Sequence, residues 1–107
     1  KALEISNNAD NKLTLAEVYK VKGIIERHLK NFAASETYLL NSLRINNNLN
    51  NELNAAETSF ELGVLYDKIN DSNSKKSYLG RSQEYFENIG AISKVERIEQ
   101  ILAFSAS

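Results

Sequence analysis

The chain has 107 residues, 42% apolar and 25% charged, with 13 Lys and Arg against 14 Asp and Glu and a net charge of −1. That composition suits one modest folded domain or part of a larger one, and it provides no basic surplus for sequence-independent binding to nucleic acid or an anionic membrane. With no cysteine, disulfides, thiolate chemistry and cysteine-based metal sites are excluded, and no apolar run approaches the roughly 18 residues of a membrane span.

No signal-peptide pattern opens the chain, which begins at Lys1 and contains no methionine, so it reads as a piece of a longer protein. Proline is absent and glycine occurs four times among Leu, Ala, Glu, Lys and Ile, a mixture that favours helix. Residues 1–10 read as the tail of a preceding helix B. A helix A follows from near Asn11, carrying Leu15, Val18, Ile25 and Leu29 at helical spacing. A rival start lies at Thr14-x-x-Glu17, a capping-box pattern. The earlier start keeps Leu13 out of a turn.

After the polar turn Lys30-Asn31 comes a helix B, striped by Tyr38, Ser42, Ile45 and Leu49. Residues 46–51, NNNLNN, keep the apolar phase through Leu49, so they read as a helix end rather than a disordered tract. A second helix A then starts near Asn51, or at Asn54-x-x-Glu57, and carries Ala55, Leu62, Leu65 and Ile69. After the turn Asn70-Asp71-Ser72 comes a second helix B with Tyr78, Ser82, Tyr85 and Ile89. Residues 91–104 form a last helix, with Ile92, Val95, Ile98, Ile101 and Leu102 turned inward. Lys94, Glu96, Arg97, Glu99 and Gln100 are expected on its wet side, as a closing helix requires.

Sliding the chain by forty residues aligns Leu13 with Leu53, Ala16 with Ala56, Gly23 with Gly63, Tyr38 with Tyr78, Leu39 with Leu79 and Ser42 with Ser82. The stretches 2–11, 42–51 and 82–91 superimpose as three copies of one joint. Asn50 stands in the place of Gly90, and these residue types best tolerate the left-handed turn that ends a helix. The expected fold is all-α: an α-solenoid of antiparallel helix pairs in five helical segments. Residues 11–50 and 51–90 are its two repeats and 91–107 its capping helix. A glycine inside a helix costs about 1 kcal/mol against alanine. Gly23 and Gly63 therefore mark a close crossing of helices A and B, with Ser42 and Ser82 expected opposite.

These residues resemble the tetratricopeptide repeat in a forty-residue form. The family's small, large, Gly and Tyr positions in helix A, and its aromatic, small and large positions in helix B, are filled by Ala16, Tyr19, Gly23, Phe32, Ser35, Leu39 and Ser42. Ala56, Leu62, Gly63, Tyr66, Leu79 and Ser82 fill them in the second repeat. Lys22 and Glu26 depart from the pattern where bulky residues are usual, and Ser72 and Lys75 where an aromatic and a small residue are. HEAT-like helix pairs have a similar period, but the absent proline and paired glycines argue against them. The resemblance implies a right-handed solenoid whose A helices line a concave groove.

Carried over residue by residue, that groove would present Glu17, Lys20, Ile24, Arg27 and His28 from the first repeat, and Glu57, Phe60, Val64, Asp67 and Lys68 from the second. Phe60 is the expected anchor. Ile24 and Val64 stand where the family's carboxylate-clamping asparagine would be, so that clamp is not expected. The bland reading of the same residues is ordinary exposed helix.

His28 is the sole histidine, with Ile24 and Phe32 four residues either side, and an imidazole without an orienting partner gives no reason for a metal or general-base role. No catalytic residue, metal or cofactor is expected. The expected function is a non-catalytic interaction module that binds a protein or peptide along helix A. The alternative is a structural spacer or self-association segment of a larger multidomain regulatory protein, with homo-oligomer contacts through exposed solenoid ends.

Overall fold

The computed structural model describes residues 9–104, and the described residues form five helices and no strands. They are α1 (Ala9–His28), α2 (Phe32–Asn48), α3 (Glu52–Lys68), α4 (Ser72–Asn88) and α5 (Ile92–Ala103). The protein is all-α. The expected helix tail before residue 9 lies outside the described residues.

Each of the four joints is built identically. Lys30, Asn50, Asn70 and Gly90 take positive φ of 67°, 57°, 62° and 75°. In each, the next residue's N–H returns to the carbonyl five positions back: Asn31 to Glu26, Asn51 to Asn46, Asp71 to Tyr66 and Ala91 to Phe86, at 2.8–2.9 Å. A second bond closes each left-handed residue on the carbonyl three positions back, completing a Schellman stop. The joint therefore recurs every twenty residues. Of the expected copy at 2–11, residues 2–8 lie outside the described residues; Ala9, Asp10 and Asn11 belong to α1, so no left-handed stop falls at Asp10.

Helix starts follow the same economy. Asn51 caps α3 by accepting from the Asn54 N–H at 3.3 Å, and Asp71 caps α4 by accepting from the Ser74 N–H at 3.2 Å. The second helix A thus starts at the earlier of its two candidate positions.

Joints of three residues force successive helices to run antiparallel. Gly23 and Gly63 do mark the close crossings, but the opposite group is leucine rather than serine. A Cβ added at Gly23 would stand 2.6 Å from Leu39 Cγ, and one at Gly63 would stand 2.5 Å from Leu79 Cγ. The small residue in the first crossing is Ser35, whose hydroxyl donates to the Gly23 carbonyl at 2.8 Å. Ser42 instead shares a hydrogen bond with Thr58 across α2 and α3, at 3.3 Å, while the buried Ser82 hydroxyl has no partner.

Two apolar clusters hold the layers. Leu39, Leu43, Leu62, Leu65 and Tyr66 join α2 to α3, and Ala56, Phe60, Leu79, Phe86 and Ile98 join α3 to α4 and α5. Contacts link α1 with α3 and α3 with α5, whereas α2 and α4 have no Cα pair within 8 Å. The odd-numbered helices thus lie side by side in one layer, within an elongated body of 52 × 32 × 19 Å.

One inward expectation fails, and the apolar spacing read on the first helix does not mark its packed side. Val18 and Ile25 of α1, and Leu29 in the joint after it, are exposed, because α1 meets α2 through Ala16, Tyr19 and Gly23 on another side. Ile92, expected inward on α5, is 69% exposed, since only Ile98 of that helix is fully covered.

Candidate functional site: the face of α1, α3 and α5

Lys20, Arg27, Glu57 and Phe60 meet where the odd-numbered helices lie side by side. Lys20 Nζ donates to Glu57 Oε1 at 3.0 Å and also pairs with Glu17 at 3.3 Å. Burial alone would lower the Lys20 pKa, but the hydrogen bond and charge of Glu57, with Glu17 behind, outweigh it and leave the ammonium above its ordinary value. Arg27 Nη1 donates to the Glu61 carboxylate at 2.9 Å and to the Glu61 carbonyl at 3.1 Å. With its side chain 9% exposed, Arg27 is a strut between hairpins rather than a free cation.

Phe60 is 6% exposed, so it does not stand free in a groove. The physical reason is α5. Lys94 Nζ sits 4.4 Å from the Phe60 ring centroid, and the Arg97 guanidinium carbon sits 6.0 Å from it. Lys94 also lies 5.7 Å from the Phe86 ring. These two cations, expected on the wet side of α5, cover aromatic faces, each such contact contributing about 0.5–1 kcal/mol when exposed.

The other sequence-predicted residues divide. Glu17, His28 and Lys68 are exposed; Ile24, Glu57, Val64 and Asp67 are half-buried. Val64 packs against the second apolar cluster. Asp67 is held by Lys75 Nζ at 2.7 Å, and Lys75 is only 2% exposed. The buried Lys75 ammonium is thus neutralised within its own hairpin. Lys20, Arg27, Glu57 and Phe60 therefore belong to the contact between hairpins, while Asp67 is tied inside the second one.

What remains open on this layer is a cleft of about 490 Å³ lined by Phe60, Phe86, Ala91, Ile92, Ser93, Lys94 and Arg97. Its floor is aromatic, its lip is the exposed Ile92, and neither cation is in an ion pair among the described residues. Lys94 and Arg97 were absent from the sequence-predicted set, although forty added to Glu57 gives Arg97. Glu61, the partner of Arg27, carries no local signal because the two lie 34 residues apart. Among the described residues no helix is long and apolar enough to cross a membrane. Comparison with protein-family models, with curated proteins and with solved structures returned no match for this chain.

Proposed function

We propose that this chain is a segment of a right-handed α-solenoid of the tetratricopeptide type, acting as a non-catalytic module that binds a protein or peptide. The forty-residue translation, the side-by-side odd helices and the elongated body support the architecture. The single observation that carries the binding reading is the cleft between α3 and α5. It combines an aromatic floor with two cations that have no carboxylate partner among the described residues, and so suits a segment presenting an acidic group beside an apolar side chain.

Phe60→Ala and Arg27→Glu are poor tests, since one empties the core and the other breaks a strut. The charge-reversed pair Lys94→Glu with Arg97→Glu leaves both intact. Peptides selected from a random library on the parent chain are expected to carry an acid next to an apolar residue and to lose at least about tenfold in affinity on the reversed pair. Selected peptides that bind both chains equally would end this reading. The spacer alternative draws support from the apolar residues exposed on α1. Under it, no cleft-directed peptide emerges.

A further inference from the structure

We propose that the cavity enclosed by α2, α3 and α4 binds a small zwitterion, a free amino acid, with its ammonium held at Asn46 and Glu52 and its carboxylate at Arg81. All the lining residues fall between Leu43 and Tyr85, and none is shared with the cleft of α3 and α5. The inference therefore goes beyond the cleft reading and does not depend on it.

The space itself follows from the architecture. Helices α2 and α4 have no Cα pair within 8 Å, and α3 floors the gap between them through the buried Ala56 and Ser59. The cavity measures about 320 Å³. That is the small end of the roughly 300–1,000 Å³ usual for ligand sites, and it suits one compact molecule.

Asn46 turns the space into a site. The residue is 2% exposed, it lines the cavity, and its Oδ1 has no hydrogen-bond partner among the described residues. A buried amide oxygen without a donor is destabilising, and the fold does not require one here. One repeat on, Phe86 stands in the place of Asn46 and packs into the second apolar cluster, so this position of the joint accepts a buried ring. The unmet acceptor calls for a donor from a ligand.

Charge decides which donor. Glu52 and Arg81 are the ionic side chains on the cavity wall, and neither is in an ion pair among the described residues. The Arg81 guanidinium carbon lies 5.3 Å from the Tyr78 ring centroid, a contact that steadies the group while leaving its N–H donors for an acceptor. A simple amine would face Arg81 and a simple carboxylate would face Glu52, each a like-charge contact. A zwitterion meets both with the opposite sign. Its ammonium donates to Asn46 Oδ1 and the Glu52 carboxylate, and its carboxylate accepts from the guanidinium in a charge-assisted pair. Leu43 and Tyr85 are left to take its side chain.

The test follows backbone amide signals of the full chain by nuclear magnetic resonance while each common free amino acid is added up to about 10 mM. At least one is expected to shift the Asn46, Ser59 and Arg81 amides saturably and to raise the thermal unfolding midpoint, since it binds only the folded chain. Its N-acetyl and carboxamide derivatives, each lacking one charge, are expected to bind at least about tenfold more weakly. Asn46→Phe, which fills the cavity as Phe86 fills its own position, is expected to abolish the shifts. Arg81→Gln changes an exposed residue, spares the buried wall, and is expected to weaken binding at least about tenfold. Absence of saturable shifts with every amino acid would overturn the proposal. So would derivatives that bind as well as the parent amino acid, or an affinity unchanged in Arg81→Gln. Glucose shifting the same amides as strongly would also overturn it, by showing that hydroxyl groups rather than paired charges are recognised.

Discussion

An added Cβ at Gly23 would meet Leu39 Cγ at 2.6 Å, and the Leu39 backbone nitrogen at 3.3 Å limits any retreat. Alanine there gains about 1 kcal/mol of helix propensity but incurs overpacking of about 1–3 kcal/mol, so packing wins. Gly23→Ala and Gly63→Ala are each expected to lower the unfolding free energy measured in urea. Gly80 is the control, with nothing within 4 Å of an added Cβ, and Gly80→Ala is expected to raise it by up to about 1 kcal/mol. The repeated glycine was readable as a close approach because nothing else accounts for the same destabilising residue twice in one phase. That leucine rather than serine fills the approach was not readable, since both residue types recur in register on helix B.

Alkaline titration also belongs to single residues. Burial and the Glu36 carboxylate hold the Tyr66 phenol above its ordinary value of 10.0, and Glu57 leaves Lys20 above 10.5 despite its burial. In both cases the folded state binds the proton more tightly than the unfolded state. The resulting stabilisation is whole below about pH 10 and is lost as pH rises through the folded values. Urea unfolding is therefore expected to be level between about pH 7 and 9 and to weaken above about pH 10. Tyr66→Phe combined with Lys20→Met should flatten that decline, and an unchanged slope would reject the assignment.

At the scale of the element, the first four helices each stop on a left-handed residue, yet only some of these stops could be read in advance. Asn50 and Gly90 are residue types at ease with positive φ, and both aligned in the repeat. Lys30 and Asn70 were visible only as polar turn residues, because Asn70 aligns in the forty-residue register with Lys30, a residue type with no left-handed preference; the twenty-residue spacing therefore stayed hidden behind the forty. Asp10 shows the opposite error, being in register with Asn50 and Gly90 but lying inside α1. A left-handed L residue costs about 1–2 kcal/mol, against about 0.5–1 kcal/mol for the extra chain entropy of glycine. Lys30→Gly is thus expected to stabilise the protein by about 0.5–1 kcal/mol, read as a higher urea midpoint with an unchanged slope.

For the whole molecule, the odd-numbered layer is joined by side chains as well as by packing. Arg27→Met would leave Glu61, whose side chain is only 20% exposed, without its cation, and is expected to cost about 1–3 kcal/mol. Lys20→Met removes a pair whose acid is more open to water and should cost under about 1 kcal/mol. The order of those two losses in urea unfolding checks the strut assignment. Lys20, Arg27, Glu57 and Phe60 were named together only through the family resemblance, and the structure places them where α1, α3 and α5 lie side by side. The division of that face into internal struts and an open cleft was not legible, because Arg27 and Glu61 meet only once two hairpins are laid side by side.

No helix touches another more than two places away along the chain, and no proline interrupts it. Reaching the native state therefore needs no closure of a distant loop and no wait for a prolyl bond to isomerise. Its tempo is set by helical hairpins zipping onto their immediate neighbours, within the microsecond-to-millisecond range of proteins rich in local contacts.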